Sequence, residues 1–269
     1  MTSIGHLERH EPIGIFDSGI GGLSILRALR TQLPQEDFVY IADNAHAPYG
    51  ERSDDYVIAR SRAIVQRLRG EHSIKLLVIA CNTATAAAID LLRAEHPDLP
   101  VVGVEPALKP AAAISRTGRV GVMATRGTLA SARFCALQAG ICAQAPTRFV
   151  LQACDGLADA IERGDQPAVQ ALCASYTQAM APFGAQAGQI DTLVLGCTHY
   201  PFAQHELTAL LGPQVRIIEP GPAVALQTQR LLQAAGQINT EGAGSVRLLS
   251  TGAIALRATG CQVSPQRPC

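Results

Sequence analysis

Lysine is almost missing from this chain: of 22 basic residues only Lys75 and Lys109 are lysines. A pyridoxal enzyme needs a Schiff-base lysine, yet Lys75 opens a strand at the wrong end and Lys109 precedes a proline. Charge of either sign is also scarce, at 16% of positions, and the formal net charge is zero. That balance argues against a nucleic-acid groove or an anionic membrane surface and points to a small partner. No apolar run reaches the roughly 18 residues of a membrane span, and Met1 to Pro12 has no apolar core segment, so a soluble cytoplasmic protein is expected. The eight cysteines contain no Cys-x-x-Cys pair and no zinc-like spacing, and read as reduced thiols.

What is present is a pattern. Lys75-Leu-Leu-Val-Ile-Ala-Cys81-Asn82-Thr83-Ala-Thr85 carries an uninterrupted aliphatic run into a lone cysteine, and Leu193-Val-Leu-Gly196-Cys197-Thr198-His199 repeats it. Such runs mark strands covered on both faces, and parallel sheets bind ligands outside the carboxyl ends of their strands. Strands are expected at Ile13–Phe16, Phe38–Ala42, the run before Cys81 and Val101–Val104, with helices at Leu23–Leu33, about Ser53–Arg69 and about Thr85–Glu95. The order then restarts at Val120–Met123, Arg148–Leu151, Leu193–Gly196 and Val215–Ile218.

Gly14 matches Gly121, Phe38 matches Phe149, Cys81 matches Cys197, and Glu105-Pro106 matches Glu219-Pro220, in one order. A duplicated α/β protein follows: two pseudo-symmetric parallel-sheet domains facing each other across a cleft. Residues 1–102 with 219–269 would form the first, carrying Cys81, and 103–218 the second, carrying Cys197. Ser245 to Leu249 is expected to return to the first half, and Cys261 to Cys269 to form a loose terminus.

Buried cysteines are usually inert packing, the reading given to Cys135, Cys142 and Cys173. Cys81 and Cys197 differ because each precedes residues expected to open a helix, whose N-terminus lowers a thiol pKa. Asp17-Ser18-Gly19-Ile-Gly21-Gly22 is either a helix cap or a turn whose glycines let N–H groups approach an anion. It lacks the third glycine of a dinucleotide fingerprint, and only Asp43 could close the second strand as a ribose ligand. Pro48-Tyr49-Gly50 is by default a turn, but one on the ligand edge, and His199 can relay a proton two residues from Cys197. Two thiols on opposite faces of one carbon suit proton removal by one and proton return by the other, which inverts the centre. That chemistry requires no metal or cofactor in principle.

Gly-Ile-Phe-Asp17-Ser18-Gly19-Ile-Gly21-Gly22, Ala-Asp43-Asn-Ala-His-Ala-Pro48-Tyr49-Gly50, Ala-Cys81-Asn82-Thr83-Ala-Thr85, Gly103-Val-Glu105-Pro106 and Gly196-Cys197-Thr198-His199-Tyr200-Pro201 together resemble the glutamate racemases, within the cofactor-independent amino-acid racemases. The resemblance implies interconversion of L- and D-glutamate for bacterial peptidoglycan, no cofactor, and a homodimer. It implies that Cys81 takes the α-proton of D-glutamate with help from Asp17, and Cys197 that of L-glutamate with help from His199 and Glu162. It also implies that Asp17, Ser18, Pro48, Tyr49, Gly50, Asn82, Thr83, Thr125, Thr128, Thr198 and His199 hold the substrate, mostly by neutral donors. Two departures stand out: Cys154-Asp155 replaces the family's frequent Cys-Pro, and Thr251-Gly252-Ala253 replaces Thr-Gly-Asp. A racemase of another acidic amino acid such as aspartate, a dithiol redox protein and a two-lobed amino-acid-binding protein are the alternatives.

Overall fold

The computed structural model describes residues 9–252. The expected terminus from Cys261 to Cys269, the span Met1 to Glu8 and the Ala253 departure lie outside the described residues. Strands β1 (Ile13–Asp17), β2 (Phe38–Ala42), β3 (Leu76–Ile79) and β4 (Val101–Gly103) form one parallel sheet in the order β4-β3-β1-β2. Strands β5 (Arg119–Ala124), β6 (Arg148–Ala153), β7 (Thr192–Gly196) and β8 (Arg216–Ile218) form a second in the order β6-β5-β7-β8. Read from the other edge this is the same topology, strand for strand. β9 (Val246–Ser250) adds to the first sheet, parallel to β2.

Registers reproduce the repeat closely. Gly14 pairs with Leu77 and Gly121 with Leu193, and each leucine lies four residues before its cysteine. The fourth strands depart from it: Leu77 faces Val101, four residues before Glu105, whereas Leu193 faces Ile217, two before Glu219. The matched Glu-Pro pairs therefore leave their sheets at different heights.

Both faces of each sheet are covered, which is why the strands read as unbroken aliphatics. Ile13 and Ile15 pack on one side of the first sheet and Phe16 on the other, while Leu193 and Leu195 oppose Val194 in the second. The covering helices in the first half are α1 (Leu23–Gln32), α2 (Asp54–His72) and α3 (Asn82–Glu95). Then follow α4 (Leu108–Ile114), α5 (Arg126–Ala130), α6 (Ala132–Cys142), α7 (Leu157–Arg163), α8 (Gln166–Met180) and α9 (Gln204–Leu211), with α10 (Gly221–Ala234) returning against α1. No described helix is long and apolar enough to cross a membrane.

Three local expectations need correction. α3 begins at Asn82 rather than near Thr85, because Cys81 is itself the N-cap, its sulfur accepting the Ala84 N–H at 3.5 Å. Cys197 is followed not by an α-helix but by the 3-10 turn Tyr200–Ala203, with Pro201 in its opening residues and α9 only beyond it. Cys135 and Cys142 are exposed rather than packed; Cys173 is buried.

Candidate active site

The carboxyl edges of the two sheets meet around a cavity of about 160 Å³. Cys81, just beyond β3, and Cys197, just beyond β7, both line it, each almost fully buried. Ser18, Pro48, Tyr49, Gly50, Asn82, Thr83, Thr125, Glu162, Thr198 and His199 line it too. Asp17 and Thr128 stand one layer back. Asp17 is wholly buried behind Ser18, and the Thr128 hydroxyl is 2.9 Å from that of Thr125.

Asp17 ends β1 and organises the turn after it. Its carboxylate accepts the Ser18 N–H at 2.7 Å, the Gly22 N–H and, from the other half, the Thr198 hydroxyl at 3.1 Å. Burial raises its pKa above the usual carboxylate value, against the opposing charge of His199. The Tyr40 hydroxyl donates to the Gly19 carbonyl at 2.6 Å and holds the same turn from beneath. The turn's glycines do admit an anion, but the protein's own: the Ile20 N–H donates to Glu162 at 3.0 Å. A Cβ at Gly19 would strike the Glu162 carboxylate, and one at Gly21 the imidazole of His199.

His199 and Glu162 form the second half's proton relay. The imidazole Nε2 lies 2.7 Å from Glu162 Oε2, and Nδ1 lies 3.8 Å from Cys197 Sγ. Burial alone depresses the His199 pKa, but hydrogen bonds to Cys197 and Glu162 and the charge of Asp17 outweigh it and hold the value well above the ordinary histidine range. Glu162 is held below its ordinary value: burial works upward, and the bond to His199 prevails. A cationic N–H donor thus sits against the second sulfur.

Cys81 has the opposite setting. Burial, and then the negative charge of Asp17, push its pKa well above that of a free thiol, and the helix N–H of Ala84 does not compensate. This corrects the expectation that both helix starts yield low-pKa thiols: burial, and then the charge of Asp17, outweigh the N–H of Ala84. Cys81 rests as a thiol, donating to Ser18 Oγ at 4.0 Å.

Asp43, the rival ribose ligand, has its carboxylate occupied. It accepts from Tyr49 Oη at 2.5 Å and from Arg60 in two bonds of 2.9 Å. Asn82 is buried against the cavity with neither side-chain polar atom hydrogen-bonded, the state of a donor and acceptor awaiting a ligand. Sequence reasoning missed Glu51, Arg126, Cys154, Asp155 and Asp159, all in the wall. A usable signal existed for Arg126: aligning Asp17 with Ala124 sets Ser18 against Thr125 and Gly19 against Arg126. Among the described residues, no group of three or more His, Cys, Asp or Glu could hold a metal ion.

The Asp/Glu/hydantoin racemase family model matches residues 19–228. The chain belongs to that family. Relatives within the racemase family include the glutamate racemase of Pseudomonas entomophila, 50% identical over 227 residues covering 84% of this chain and 83% of that protein. That of Ectopseudomonas mendocina is 46% identical and covers 90% of each. Among solved racemase structures, glutamate racemase isoform RacE1 from Bacillus anthracis superposes with TM-score 0.83 at 31% identity, covering 96% of this chain and 97% of that one. The Escherichia coli glutamate racemase, in complex with L-glutamate and the activator UDP-MurNAc-ala, gives 0.77 at 32% identity, covering 91% of each chain.

Proposed function

We propose that this protein is a glutamate racemase, a cytoplasmic isomerase that interconverts L- and D-glutamate and supplies D-glutamate for peptidoglycan. One observation carries the reading: two thiols from topologically equivalent strands line one small cavity, each beside a different acid–base partner. The two relatives described above are glutamate racemases at 50% and 46% identity over most of the chain.

In this reading Cys197, beside the cationic His199, takes the α-proton of L-glutamate as Cys81 delivers its thiol proton to the opposite face. The product is D-glutamate, and the reverse passage begins with Cys81 as base, Asp17 accepting or steering its proton. Glu162 keeps His199 oriented. Asn82, with both polar atoms free, together with Ser18, Thr83, Thr125 and Thr198, would hold the α-carboxylate and ammonium, while Pro48, Tyr49 and Gly50 shape the side-chain end and Thr128 supports Thr125. Neutral donors suit this role, because they hold the carboxylates without adding a cation that would compete with His199 for the Cys197 thiolate.

The same reading assigns residues 1–102 with 219–269 to one domain and 103–218 to the other, which agrees with β9 and α10 packing on the first half. It includes a homodimer, which sedimentation would test. The deciding experiment incubates the protein with L-glutamate in heavy water without added cofactor. Deuterium entry at Cα with loss of optical rotation, and no racemisation by Cys81→Ala or Cys197→Ala, is expected. Glutamate binding without exchange would leave a binding protein instead.

A further inference from the structure

Asp43 is a buried charge that the proton-transfer scheme does not use. It stands just past β2 with its side chain wholly out of solvent, and the segment it opens runs through two 3-10 turns, Asn44–His46 and Tyr49–Glu51, into α2. Pro48, Tyr49 and Gly50 of that segment form one wall of the cavity. Turns of this kind are short and hold themselves by hydrogen bonds of poor geometry, so the wall depends on side chains for its position.

Asp43 ties that segment at three points. Its Oδ2 accepts the Tyr49 hydroxyl at 2.5 Å and Arg60 Nε at 2.9 Å, and its Oδ1 accepts Arg60 Nη2 at 2.9 Å. One carboxylate thus joins the start of the segment, its middle and the helix beyond it. The planar guanidinium takes both carboxylate oxygens and so fixes the plane of the acceptor that Tyr49 meets. Burial, and then the bond to Asp43, push the Tyr49 pKa far above that of a free phenol, and the hydroxyl stays a donor. An apolar partner could bury the Tyr49 ring, but a charged acceptor also sets its direction. Next to it Gly50 meets the other half: a Cβ there would stand 3.1 Å from Thr125, whose hydroxyl lies 3.3 Å from that of Thr83. A shift of Tyr49 therefore reshapes the cavity on its substrate side.

Resting on the racemase reading above, we infer that Asp43 and Arg60 are positioning residues for the substrate: through the Tyr49 hydroxyl they fix the wall formed by Pro48, Tyr49 and Gly50, against which the substrate's side-chain end rests. Neither side chain lines the cavity and neither moves the α-proton. The effect falls on substrate affinity rather than on the chemical step.

A double-mutant cycle on L-glutamate turnover tests this, with melting midpoints taken alongside. Tyr49→Phe keeps the ring and removes the bond; it should raise the glutamate KM about fivefold, and Asp43→Asn at least as much, each with kcat changed less. The double variant should stay within about twofold of Asp43→Asn alone, because both substitutions break the same bond. Arg60→Lys, which keeps the charge and loses the fork, should fall between wild type and Arg60→Gln. Tyr56→Phe removes another contact between this segment and α2, to His46 Nδ1 at 2.9 Å, and should leave KM within about twofold. Multiplied losses in the double variant, a lowered melting midpoint with unchanged KM, or an equal rise in Tyr56→Phe would overturn the inference, since a merely stabilising residue acts through no particular hydroxyl. Should Asp43→Asn fail to fold, Arg60→Lys takes its place in the cycle. Should the wild type fail to exchange the α-hydrogen, the racemase reading falls by itself, and calorimetric binding of glutamate to the same variants judges Asp43 and Arg60 by the same cycle. A wild type that binds no glutamate overturns both.

Discussion

His199 and Glu162 hold each other in their charged forms, and their shifts set a pH window. The raised His199 pKa contributes stability that is fully present below the ordinary histidine value of 6.5 and lost as pH rises through the higher folded value. The lowered Glu162 pKa contributes stability present above its ordinary 4.5 and lost as pH falls through the folded value. Glu162→Gln should therefore destabilise by about 1–3 kcal/mol near neutrality, with the difference from wild type shrinking toward both pH extremes in urea titrations. A constant difference across pH would contradict the ion pair. The two halves also differ in proton handling: Asp17→Asn is expected to slow proton abstraction from D-glutamate more than from L-glutamate, and His199→Asn the reverse. Single-turnover exchange reads this; steady-state rates are tied by the overall equilibrium.

At the scale of elements, the turn from Gly19 to Gly22 is where the halves fit together. Its glycines are required by contact rather than by backbone angle, since Cβ atoms there would meet Glu162, His199, Asp17 and Tyr40. Gly21→Ala must push the imidazole away from Cys197. It should cost about a hundredfold in abstraction from L-glutamate, as small misplacements of reacting groups do, while far-ultraviolet circular dichroism stays native. Gly70, inside α2 with open space where a Cβ would go, is the contrasting case. Gly70→Ala should stabilise by about 0.5–1 kcal/mol through helix propensity, seen as a higher thermal midpoint with unchanged turnover.

For the molecule as a whole, the far end of the first sheet is closed by a buried ion pair, Lys75 Nζ to Glu36 at 2.6 Å. Lys75 also donates to the carbonyls of Arg9 and Gln237, and Glu36 accepts the Asn239 N–H at 2.8 Å, so the pair clasps segments from both ends of the described chain. Removing one partner strands a buried charge. Lys75→Met should cost about 3–5 kcal/mol in chemical denaturation, and joint replacement with Glu36→Leu should recover much of it. A loss below 1 kcal/mol would contradict a dry ion pair.

The two sheets, their parallel strands, the duplication and the positions of both cysteines are legible in the sequence, because all follow from local periodicity and from identity between matched stretches. Gly14 with Leu77 and Gly121 with Leu193 keep that match down to strand register. The ionisation of the cavity is not legible in this way. Cys81 reads as a helix-capped thiol of low pKa, yet it lies in a dry pocket beside Asp17, which sits 64 positions earlier. His199 reads as a general relay; its charge comes from its bonds to Cys197 and to Glu162 on α7, which outweigh burial. Residue type and spacing by themselves determine which backbone forms and where a thiol stands on it. Proton positions and charge pairing belong to the tertiary structure alone, because desolvation and Coulomb interaction depend on distances of a few ångströms between groups that only folding brings together.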